Sequence, residues 1–600
     1  MTRPRELRFN AFNMTAPSHN WAGLWSHPRD GSIDYNTLDY WIDYARTAER
    51  GLLDGIFLAD VFGVYDVYGG SADTAAAHAV QLPNADPTLL VSAMASVTQN
   101  LGFGITSNLT FEHPYQLART FSTLDHLTKG RIGWNIVTGY LDSGARGMGL
   151  PAGRAHDDRY DAAEDFLTAS YKLWEGSWED DAVRRDRGTR IFTDPAKLHR
   201  VLHEGRYFKV DGIHLAEPSP QRTPLLYQAG TSKRGRAFAA QHAEAIFLNG
   251  QTKPILARAV REIRSAARDY GRDPYDIRLF AGATVIVAPT RSEANDLLEE
   301  YASHVDQTGQ LALLSGWTGI DFSTYRPDQP IEYVESNAIQ SMVENFTLRS
   351  DRPVHVGDLA KLSRAGARSP FVVGSPQDVA DELISWAEDT DVDGFNLFRL
   401  VVPESLNAFV DLAVPELQSR GVYKTAYREG TLRENCFLDA VQSCTRRIQA
   451  RASVVCLPSR IHLDPTRPND RLKRPADDVP GMRPPRMIAM KTLDIEAVQA
   501  FVLTADLKSF TRAAEAMDTT QSAVSLKIKR LEDELGRRLL DRTPRGSACP
   551  RMVMLSLRRR EPCLPPTMVR SAASAWSADA SSSASATALS AQSCRSCCDA

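Results

Sequence analysis

Cysteine is missing from the first 435 residues of this chain of 600, and all eight cysteines lie beyond that point. A globular segment without cysteine has no disulfide framework of the kind that small secreted domains use. The chain opens without the basic and then apolar run of a signal peptide, and it has no run of about 18 apolar residues that could span a bilayer. We therefore expect a cytoplasmic protein without a membrane anchor.

Several enzyme signatures are also missing. No G-x-G-x-x-G turn follows an early strand pattern, which argues against an open dinucleotide-binding sheet. No G-x-S-x-G elbow indicates a hydrolase, and no cluster of His, Cys and carboxylates has metal-ligand spacing, so we expect no metal site. The net charge of −4 and the hydrophobic content of 43% are ordinary for a globular protein.

Eight apolar runs recur through the first 430 residues, and most of them follow a helical pattern. Successive strands joined by helices form right-handed βαβ units with parallel strands. The pattern predicts an α/β fold, a (β/α)8 TIM barrel with long insertions at 140–223 and 289–393. The predicted strands are LRFNAF (7–12), GIFLAD (55–60), 102–109, 131–138, 224–230, 245–250, 278–288 and 394–402.

Polar residues stand near the carboxyl ends of these strands, where a barrel places its active site. Asp60 closes the second predicted strand, Thr106 lies near the end of the third and Asn135 within the fourth. A carboxylate accepts hydrogen bonds, and an amide both donates and accepts them. A turn cap at Asp60 and a buried amide satisfied by backbone at Asn135 remain the alternatives.

Three further segments suggest ligand contacts. Thr231 and Ser232 stand between a strand end and a helix start, where free N–H groups and the helix dipole attract an anion, although an ordinary N-cap explains them equally. His156 and Tyr160 lie one helical turn apart in HDDRY. His19 follows the first strand and is expected over the barrel mouth, unless it is only a surface-loop histidine.

Five separated blocks carry a resemblance to a known family: LADVFGVYDVYGG, FEHPYQLARTFSTLDHLTKGRIGWNIVTG, HDDRY, QAGTSKRGRAFAA and YREGTLRE. In this order they resemble the flavin-dependent monooxygenases of the bacterial luciferase superfamily. The branch is the one that contains nitrilotriacetate monooxygenase component A, dibenzothiophene-sulfone monooxygenase and long-chain alkane monooxygenase. The resemblance covers roughly residues 5–433 and implies that 1–433 form a barrel domain.

The resemblance also implies a function. It implies that the domain binds reduced FMN, supplied by a separate NAD(P)H:flavin reductase, and uses O2 to oxygenate a small organic substrate. Family members act on aminopolycarboxylates, sulfones, alkanes and antibiotic precursors, and the resemblance implies a homo-oligomer. A luciferase-like oxidoreductase that uses a deazaflavin to transfer hydride is the alternative within the fold.

Site residues follow from the resemblance by position. It implies flavin contacts for six residues, namely Asp60, Thr106, His156, Tyr160, Thr231 and Ser232. We assign catalytic roles to His19 and Asn135. A neutral imidazole at His19 can hydrogen-bond or deprotonate a substrate, and the amide of Asn135 suits the pyrimidine edge of a flavin.

Residues 490–546 resemble the N-terminal winged helix-turn-helix of LysR-type transcription regulators, and we predict a small all-α fragment there. In a recognition helix within TTQSAVSLKIKRLEDELG, Gln521, Ser522 and Ser525 would face base edges and Lys527 a phosphate. A DNA-binding regulator is therefore the alternative function. Only 54 residues follow Gly546, too few for the effector domain of such regulators, so DNA is a doubtful partner.

Composition changes abruptly on both sides of this fragment. Residues 434–489 form an irregular Arg/Pro-rich linker, and 547–600 form a Ser/Ala-rich tail that we expect to be disordered. Our hypothesis is a composite reading frame that joins a monooxygenase to part of a regulator. A functional fusion of enzyme and DNA-binding module, and a genuine disordered tail, are the alternatives.

Overall fold

The computed structural model describes residues 6–230, 232–332, 339, 347, 354–363, 370–437, 495–507 and 509–535. The chain divides into two compact units, Met1–Leu463 and Asp464–Ala600.

Eight parallel strands close into a barrel in the first unit. The strands are β1 (Arg8–Met14), β2 (Gly55–Ala59), β3 (Gly102–Asn108), β4 (Ile132–Val137), β5 (Leu225–Gln228), β6 (Ala245–Leu248), β7 (Arg278–Val287) and β8 (Gly394–Phe398). The strand order is β6-β5-β4-β3-β2-β1-β8-β7, and β6 pairs with β7 to complete the ring. All eight correspond to predicted strands, so the predicted TIM barrel is confirmed.

Side chains from alternate strand positions fill the barrel interior, as the two-residue period of a strand requires. The ring of Phe12 is central: its centroid lies 5.4 Å from that of Phe57, 5.1 Å from that of Phe247 and 5.5 Å from that of Phe398. The intervening residues face outward and pack on the helices. The interior is therefore a packed aromatic core.

Helices cover the barrel and build its insertions. The helix Pro114–Leu127 begins with a side-chain cap, since His113 accepts from the backbone N–H of Tyr115, and proline occupies its first turn. The helices of the first unit are Leu38–Arg50, Asp73–Ala77, Val91–Ser96, Pro114–Leu127, Asp142–Gly147, His156–Gly176, Lys233–His242, Lys253–Asp269, Arg291–Ser303, Gln307–Thr318, Val356–Ser363, Pro376–Thr390, Glu404–Ala408, Val414–Ser419 and Leu432–Cys436, with a π-helical turn at Phe409–Ala413.

Five short strands outside the barrel were not predicted. Two antiparallel hairpins lie in the first insertion, and Phe371–Gly374 pairs in parallel with the end of β7. The first hairpin is almost wholly exposed, so its Arg-rich sequence carries no pattern of buried residues. The hairpin strands are Val183–Asp186, Ile191–Thr193, Val201–Glu204 and Lys209–Gly212.

The helix Leu432–Cys436 closes the barrel at the amino ends of its strands. The Nε of Arg433 donates to Glu244 at 2.6 Å, and its Nη2 donates to the carbonyls of Thr223 and Pro224. Phe437 is fully buried within the inner core. Packing thus continues to Phe437, four residues beyond the predicted end of the barrel domain. Residues 438–489 of the predicted linker and the tail at 547–600 lie outside the described residues.

The described residues of the second unit form the helices Ile495–Leu507, Phe510–Ala516 and Gln521–Leu535. Their shared core consists of small and β-branched side chains, namely Ala500, Ala513, Ala514, Val524 and Ile528. The predicted all-α helix-turn-helix region is confirmed. Residues 490–494, 508 and 536–546 of the predicted fragment lie outside the described residues.

Neither a membrane-spanning helix nor a cluster of metal ligands occurs among the described residues. None of the helices that the structure describes has both the length and the apolar content needed to cross a membrane. In the same described ranges, no three His, Cys, Asp or Glu side chains come together in a way that could hold a metal ion.

Candidate active site

A cavity of about 340 Å³ opens at the carboxyl ends of the barrel strands. Its wall includes the residues at which β1, β2, β4 and β5 end, together with Trp317 and Ile339 from the second insertion. This is the face on which barrel enzymes carry their active sites, and the volume is within the range of small-molecule pockets, about 300–1,000 Å³.

His19 lines this cavity next to its aromatic floor. The His19 ring stands edge-on to Phe12, with centroids 4.5 Å apart and planes at 85°, and it is only 4% exposed. The loop after β1 thus carries the imidazole over the barrel mouth, where the sequence analysis expected it. Its neighbour Trp21 instead stacks on Phe371 away from the cavity. The catalytic role of His19 remains a prediction.

Asp60 also lines the cavity, directly after β2. Its Oδ1 accepts from the side-chain amide of Asn84 at 2.7 Å. Burial raises the pKa of Asp60 to about 6, and the nearby carboxylate of Asp86 acts in the same direction. This carboxyl group therefore changes charge close to neutral pH and can accept hydrogen bonds from a ligand when ionised.

Thr106 and Asn135 are paired with each other below the cavity. They are register partners on β3 and β4, and the amide Nδ2 of Asn135 donates to Thr106 Oγ1 at 2.7 Å. The next inward positions, Asn108 and Val137, form the cavity wall. Within the part of the chain that the structure describes, the Oδ1 of Asn135 is buried without a hydrogen-bond partner. The predicted roles of this pair stay predictions, because the structure places them one layer beneath the wall.

His156, Tyr160 and Ser232 come together at another part of the wall. The rings of His156 and Tyr160 lie 5.3 Å apart on their helix, as the four-residue spacing predicts. Ser232 Oγ accepts from the backbone N–H of Gly235 at 3.0 Å and so caps the helix Lys233–His242. The N-cap alternative is thus observed, while phosphate binding stays a prediction. Thr231 lies outside the described residues.

Two glycines make this cluster possible. A Cβ built on Gly230 would lie 2.7 Å from the hydroxyl oxygen of Tyr160, and one on Gly235 would lie 2.6 Å from it. The Tyr160 hydroxyl therefore rests against the start of the helix, where backbone N–H groups point outward. Burial raises the pKa of Tyr160, so its hydroxyl stays protonated and can donate.

Arg159 is a site residue that sequence reasoning missed. It is 5% exposed, it lines the cavity beside Tyr160, and its Nη1 donates to the carbonyl of Gly139. Burial lowers its pKa from the very high value of a guanidinium. The HDDRY block itself contains this residue three positions after His156, so the same helical spacing could have identified it.

A hydrogen-bonded roof of aromatic side chains was also missed. The Tyr65 hydroxyl donates to Gln81 Oε1 at 2.9 Å, lies 2.7 Å from the Tyr140 hydroxyl and accepts from Trp317 Nε1 at 3.2 Å. Gln81 in turn donates to the backbone carbonyl of His19 at 2.9 Å. The roof therefore links both insertions to the loop that carries His19.

The predicted DNA-contact residues lie on the third helix of the second unit. Gln521 and Ser522 are exposed, and Ser525 is half-buried. Lys527 forms an ion pair with Glu496 at 2.5 Å, so its ammonium group is engaged within the three-helix unit. The geometry leaves base contacts by Gln521 and Ser522 as predictions.

The fold and the cavity define the first unit as a (β/α)8-barrel enzyme whose site joins an apolar floor to a helix N-terminus. The chain belongs to the luciferase-like monooxygenase family, whose model matches residues 11–393. The model of the lysR-family regulatory helix-turn-helix protein matches residues 495–552. The predicted family and the presence of a partial regulator module are confirmed.

Two curated relatives and one solved structure illustrate the match. Dimethyl-sulfide monooxygenase of Hyphomicrobium sulfonivorans is 46% identical over 72% of this chain and 90% of its own length. Long-chain alkane monooxygenase of Geobacillus thermodenitrificans is 46% identical over 72% and 94%. The crystal structure of a riboflavin lyase with modified FMN and riboflavin is 40% identical, with a TM-score of 0.68 over 72% of this chain and 95% of that one.

Proposed function

We propose that the barrel is a two-component monooxygenase that receives reduced FMN from a separate NAD(P)H:flavin reductase and oxygenates a small organic substrate with O2. The observation that carries the proposal is one cavity that combines a helix N-terminus, unpartnered amide groups and an aromatic floor. FMN requires the same three features for its phosphate, its pyrimidine edge and its ring system. Membership of a monooxygenase family supports the assignment of O2 as co-substrate.

The polar groups of the cavity fit a flavin. Gln228 Oε1 and Asn20 Nδ2 belong to cavity-lining residues, and both atoms are buried without a hydrogen-bond partner among the described residues. Buried polar atoms without partners are rare in folded proteins and often mark a ligand that satisfies them. One is an acceptor and the other a donor, which is the combination that the carbonyl and N–H groups of a flavin pyrimidine edge need.

The cluster of His156, Tyr160 and Ser232 at the start of the helix Lys233–His242 fits a phosphate. Backbone N–H groups at the start of Lys233–His242 and the dipole of that helix attract an anion. Tyr160 supplies a protonated hydroxyl, and His156 and Arg159 supply nitrogen donors from the neighbouring helix. Ser232 would bind the phosphate with its hydroxyl hydrogen while its oxygen continues to cap the helix.

Bound reduced FMN supplies two electrons, so that the overall reaction is R–H + FMNH2 + O2 → R–OH + FMN + H2O. The protein orients the substrate and excludes water from the reacting centre. We assign water exclusion to the roof of Tyr65, Tyr140 and Trp317. We assign to His19, beside the aromatic floor, the role of holding or moving a proton at the substrate.

The proposal is tested with the full chain in two steps. Binding of oxidised and reduced FMN is measured first, by fluorescence quenching and by anaerobic absorbance titration. Oxygen uptake and oxygenated product are then measured with a flavin reductase and NADH. Failure to bind either form of FMN, or turnover of substrate with a reduced deazaflavin and no O2 uptake, would contradict the proposal.

DNA binding is a second candidate for residues 495–535 alone. The observation that favours it is the exposure of Gln521 and Ser522 on a helix that matches a regulator model. A gel shift with a discrete DNA sequence, which weakens steeply as salt rises, would support it. Binding that is equal for all sequences would leave no regulatory function.

A further inference from the structure

We infer that Asn84 is a positioning residue for the proposed reaction, because its side-chain amide holds the carboxyl group of Asp60 in the orientation in which that group accepts hydrogen bonds from the flavin. The inference rests on the proposed function, since Asp60 belongs to the wall of the cavity that we assign to FMN. Asn84 is not itself among the residues that line this cavity, so it acts through Asp60.

The amide of Asn84 donates both of its hydrogens toward the end of β2. Its Nδ2 lies 2.7 Å from Asp60 Oδ1 and 3.3 Å from the carbonyl oxygen of Val61. Its Oδ1 accepts from the hydroxyl of Thr15 at 3.0 Å. An amide turned by half a rotation would place its oxygen against a carboxylate and a carbonyl, which are both acceptors, and would lose these bonds. The groups around Asn84 therefore select one orientation of the amide.

Thr15 fixes the segment that carries this amide. It directly follows β1, the strand that pairs with β2, and it is fully buried. Its hydroxyl also contacts the carbonyl oxygen of Ala85, and its own carbonyl accepts from the backbone N–H of Ala85 at 2.9 Å. Asp60 directly follows β2. The amide of Asn84 thus links the carboxyl ends of two neighbouring strands, and it holds Asp60 against a rigid part of the barrel mouth.

The hydrogen bond from Asn84 also acts on the charge of Asp60. Burial raises the pKa of Asp60 to about 6, and the hydrogen bond from Asn84 opposes this rise because it stabilises the carboxylate. A carboxylate offers about four acceptor positions, so a ligand in the cavity can still bind to it. Asn84 therefore helps to keep Asp60 both oriented and ionised near neutral pH.

Other titratable groups face Asp60, and the experiment has to separate them from Asn84. The carboxylate of Asp86 raises the pKa of Asp60, and it also raises the pKa of Glu112, for which burial is the larger cause. The titratable side chains that share the described wall with Asp60 are His19, Tyr65, Tyr140, His156, Arg159 and Tyr160. Because His19 and His156 can titrate in the same range, every profile is compared with that of Asp60→Asn.

Asn84→Leu removes the amide and keeps a side chain of similar size. The affinity of the full chain for riboflavin, which lacks a titrating phosphate, is measured by fluorescence quenching from about pH 5 to about pH 9. The part of the pH dependence that disappears in Asp60→Asn belongs to Asp60. We expect the midpoint of that part to lie about 1 pH unit higher in Asn84→Leu, because the carboxylate loses a charge-assisted hydrogen bond.

Thr15→Val provides a second variant that nearly preserves shape. It removes the hydroxyl that holds Asn84 Oδ1, while the amide itself remains. We expect the midpoint to move in the same direction as in Asn84→Leu and by a smaller amount, since the amide is still present but less well fixed. If Asn84→Leu does not fold, a midpoint in Thr15→Val that equals the native one overturns the inference.

Asn407→Leu is the matched control. Asn407 is half-buried like Asn84 and is not among the residues that line the cavity. Its Oδ1 accepts from Thr47 Oγ1 at 3.3 Å and from Arg50 Nη2 at 3.0 Å, so the substitution also removes an amide with two side-chain hydrogen bonds. We expect an unchanged midpoint. An equal shift in Asn407→Leu and Asn84→Leu would show a general loosening of the fold and would overturn the inference.

The free energy of unfolding supplies a readout without flavin. The contribution of Asp60 is lost as the pH rises through its folded pKa, so the chain and its Asp60→Asn form diverge in that window. With Asn84→Leu as the background of both, the window should lie about 1 pH unit higher. Absence of flavin binding by the native chain contradicts the proposed function. An unmoved midpoint and an unmoved window, in a chain that binds riboflavin normally, overturn the inference alone.

Discussion

The indole N–H of Trp317 donates to the hydroxyl of Tyr65 at 3.2 Å and joins two segments that are 252 residues apart in sequence. Close approach of the backbone makes this possible, because any side chain at Gly316 would overlap the ring of Tyr65. The same hydroxyl donates to Gln81, which holds the carbonyl of His19. One phenol therefore fixes the roof over the cavity and the loop that carries His19.

Tyr65→Phe removes this hydroxyl and keeps the ring. Gln81 Oε1 and Trp317 Nε1 then lose a buried partner, so we expect the free energy of unfolding to fall by about 1–3 kcal/mol. We also expect more hydrogen peroxide and less oxygenated product per NADH, because the roof excludes water less well. Chemical denaturation and product-to-NADH ratios measure the two effects. Tyr270→Phe, at a position that is 46% exposed, serves as the control, and unchanged coupling in Tyr65→Phe would refute the assigned role of the roof.

Gly235→Ala tests the phosphate site. Its Cβ would lie 2.6 Å from the Tyr160 hydroxyl oxygen and 3.0 Å from Ser232 Oγ, so both groups must move. We expect FMN affinity to fall about tenfold or more, equivalent to about 1.4 kcal/mol, and riboflavin affinity to change little. Gly147→Ala is the control, because no atom lies within 4 Å of the added carbon. Equal losses for FMN and riboflavin would place the phosphate elsewhere.

The pKa of Asp60 predicts that the affinity for a flavin depends on pH. Its pKa of about 6 means that the carboxylate forms between pH 5 and pH 7, and a carboxylate accepts stronger hydrogen bonds than a neutral acid. We expect affinity for riboflavin to rise through this range in the native chain and to stay flat in Asp60→Asn. Riboflavin is the ligand of choice because the FMN phosphate itself titrates with a second pKa near about 6. Parallel profiles for the two proteins would exclude Asp60 from the flavin site.

The raised pKa of Asp60 also predicts how the free energy of unfolding changes with pH. Because burial holds the pKa of Asp60 above its unfolded value of about 3.9, the folded state binds the proton more tightly. The contribution of Asp60 to the free energy of unfolding is therefore fully present below about pH 4 and is lost as the pH rises through about 6. Denaturation curves for the native chain and Asp60→Asn should diverge across this window, and a constant difference between them would contradict the assigned pKa.

The eight barrel strands were predictable because a parallel strand covered by helices is buried along its whole length. Residues 278–288 read as a continuous apolar run for this reason. The pairing of His156 with Tyr160 was predictable from helical spacing alone. Both the burial of a strand and the contacts along one helix face depend on residues close together in sequence, so the sequence pattern predicts them.

The roof and the Thr106–Asn135 pair were beyond sequence reasoning. Tyr65 and Gln81 lie between β2 and β3, and they meet Trp317 of the second insertion only because both segments fold over the same mouth. No local period in the sequence records that contact. The role predicted for Asn135 stays a prediction, and the register of β3 and β4 pairs its amide nitrogen with Thr106, which its own segment does not reveal. Register is set by the whole sheet, so the depth of a strand residue below the mouth is not evident from its own segment.

Arg433→Ala tests the closure of the barrel at the amino ends of its strands. Arg433 and Glu244 are both buried and paired at 2.6 Å, so removal of the cation leaves a buried carboxylate without its counter-ion. We expect a loss of about 3–5 kcal/mol in the free energy of unfolding. Arg428→Ala breaks the exposed pair with Glu6 and should cost less than about 1 kcal/mol. Similar losses in the two variants would show that the buried pair contributes no more than a surface one.

Truncation tests how much of the chain the barrel needs. Packing into the inner core continues through Cys436 to Phe437, and the Nε of Arg278 donates to the carbonyl of Cys436 at 2.8 Å. A chain that ends at Phe437 should therefore keep the FMN affinity and the kcat of the full chain. A chain that ends at Gly430 lacks Arg433 and the closing helix, and we expect it to unfold or to lose flavin binding. If removal of residues 438–600 lowered kcat as strongly, the catalytic unit would extend into the second half of the chain, and the hypothesis of a composite reading frame would fail.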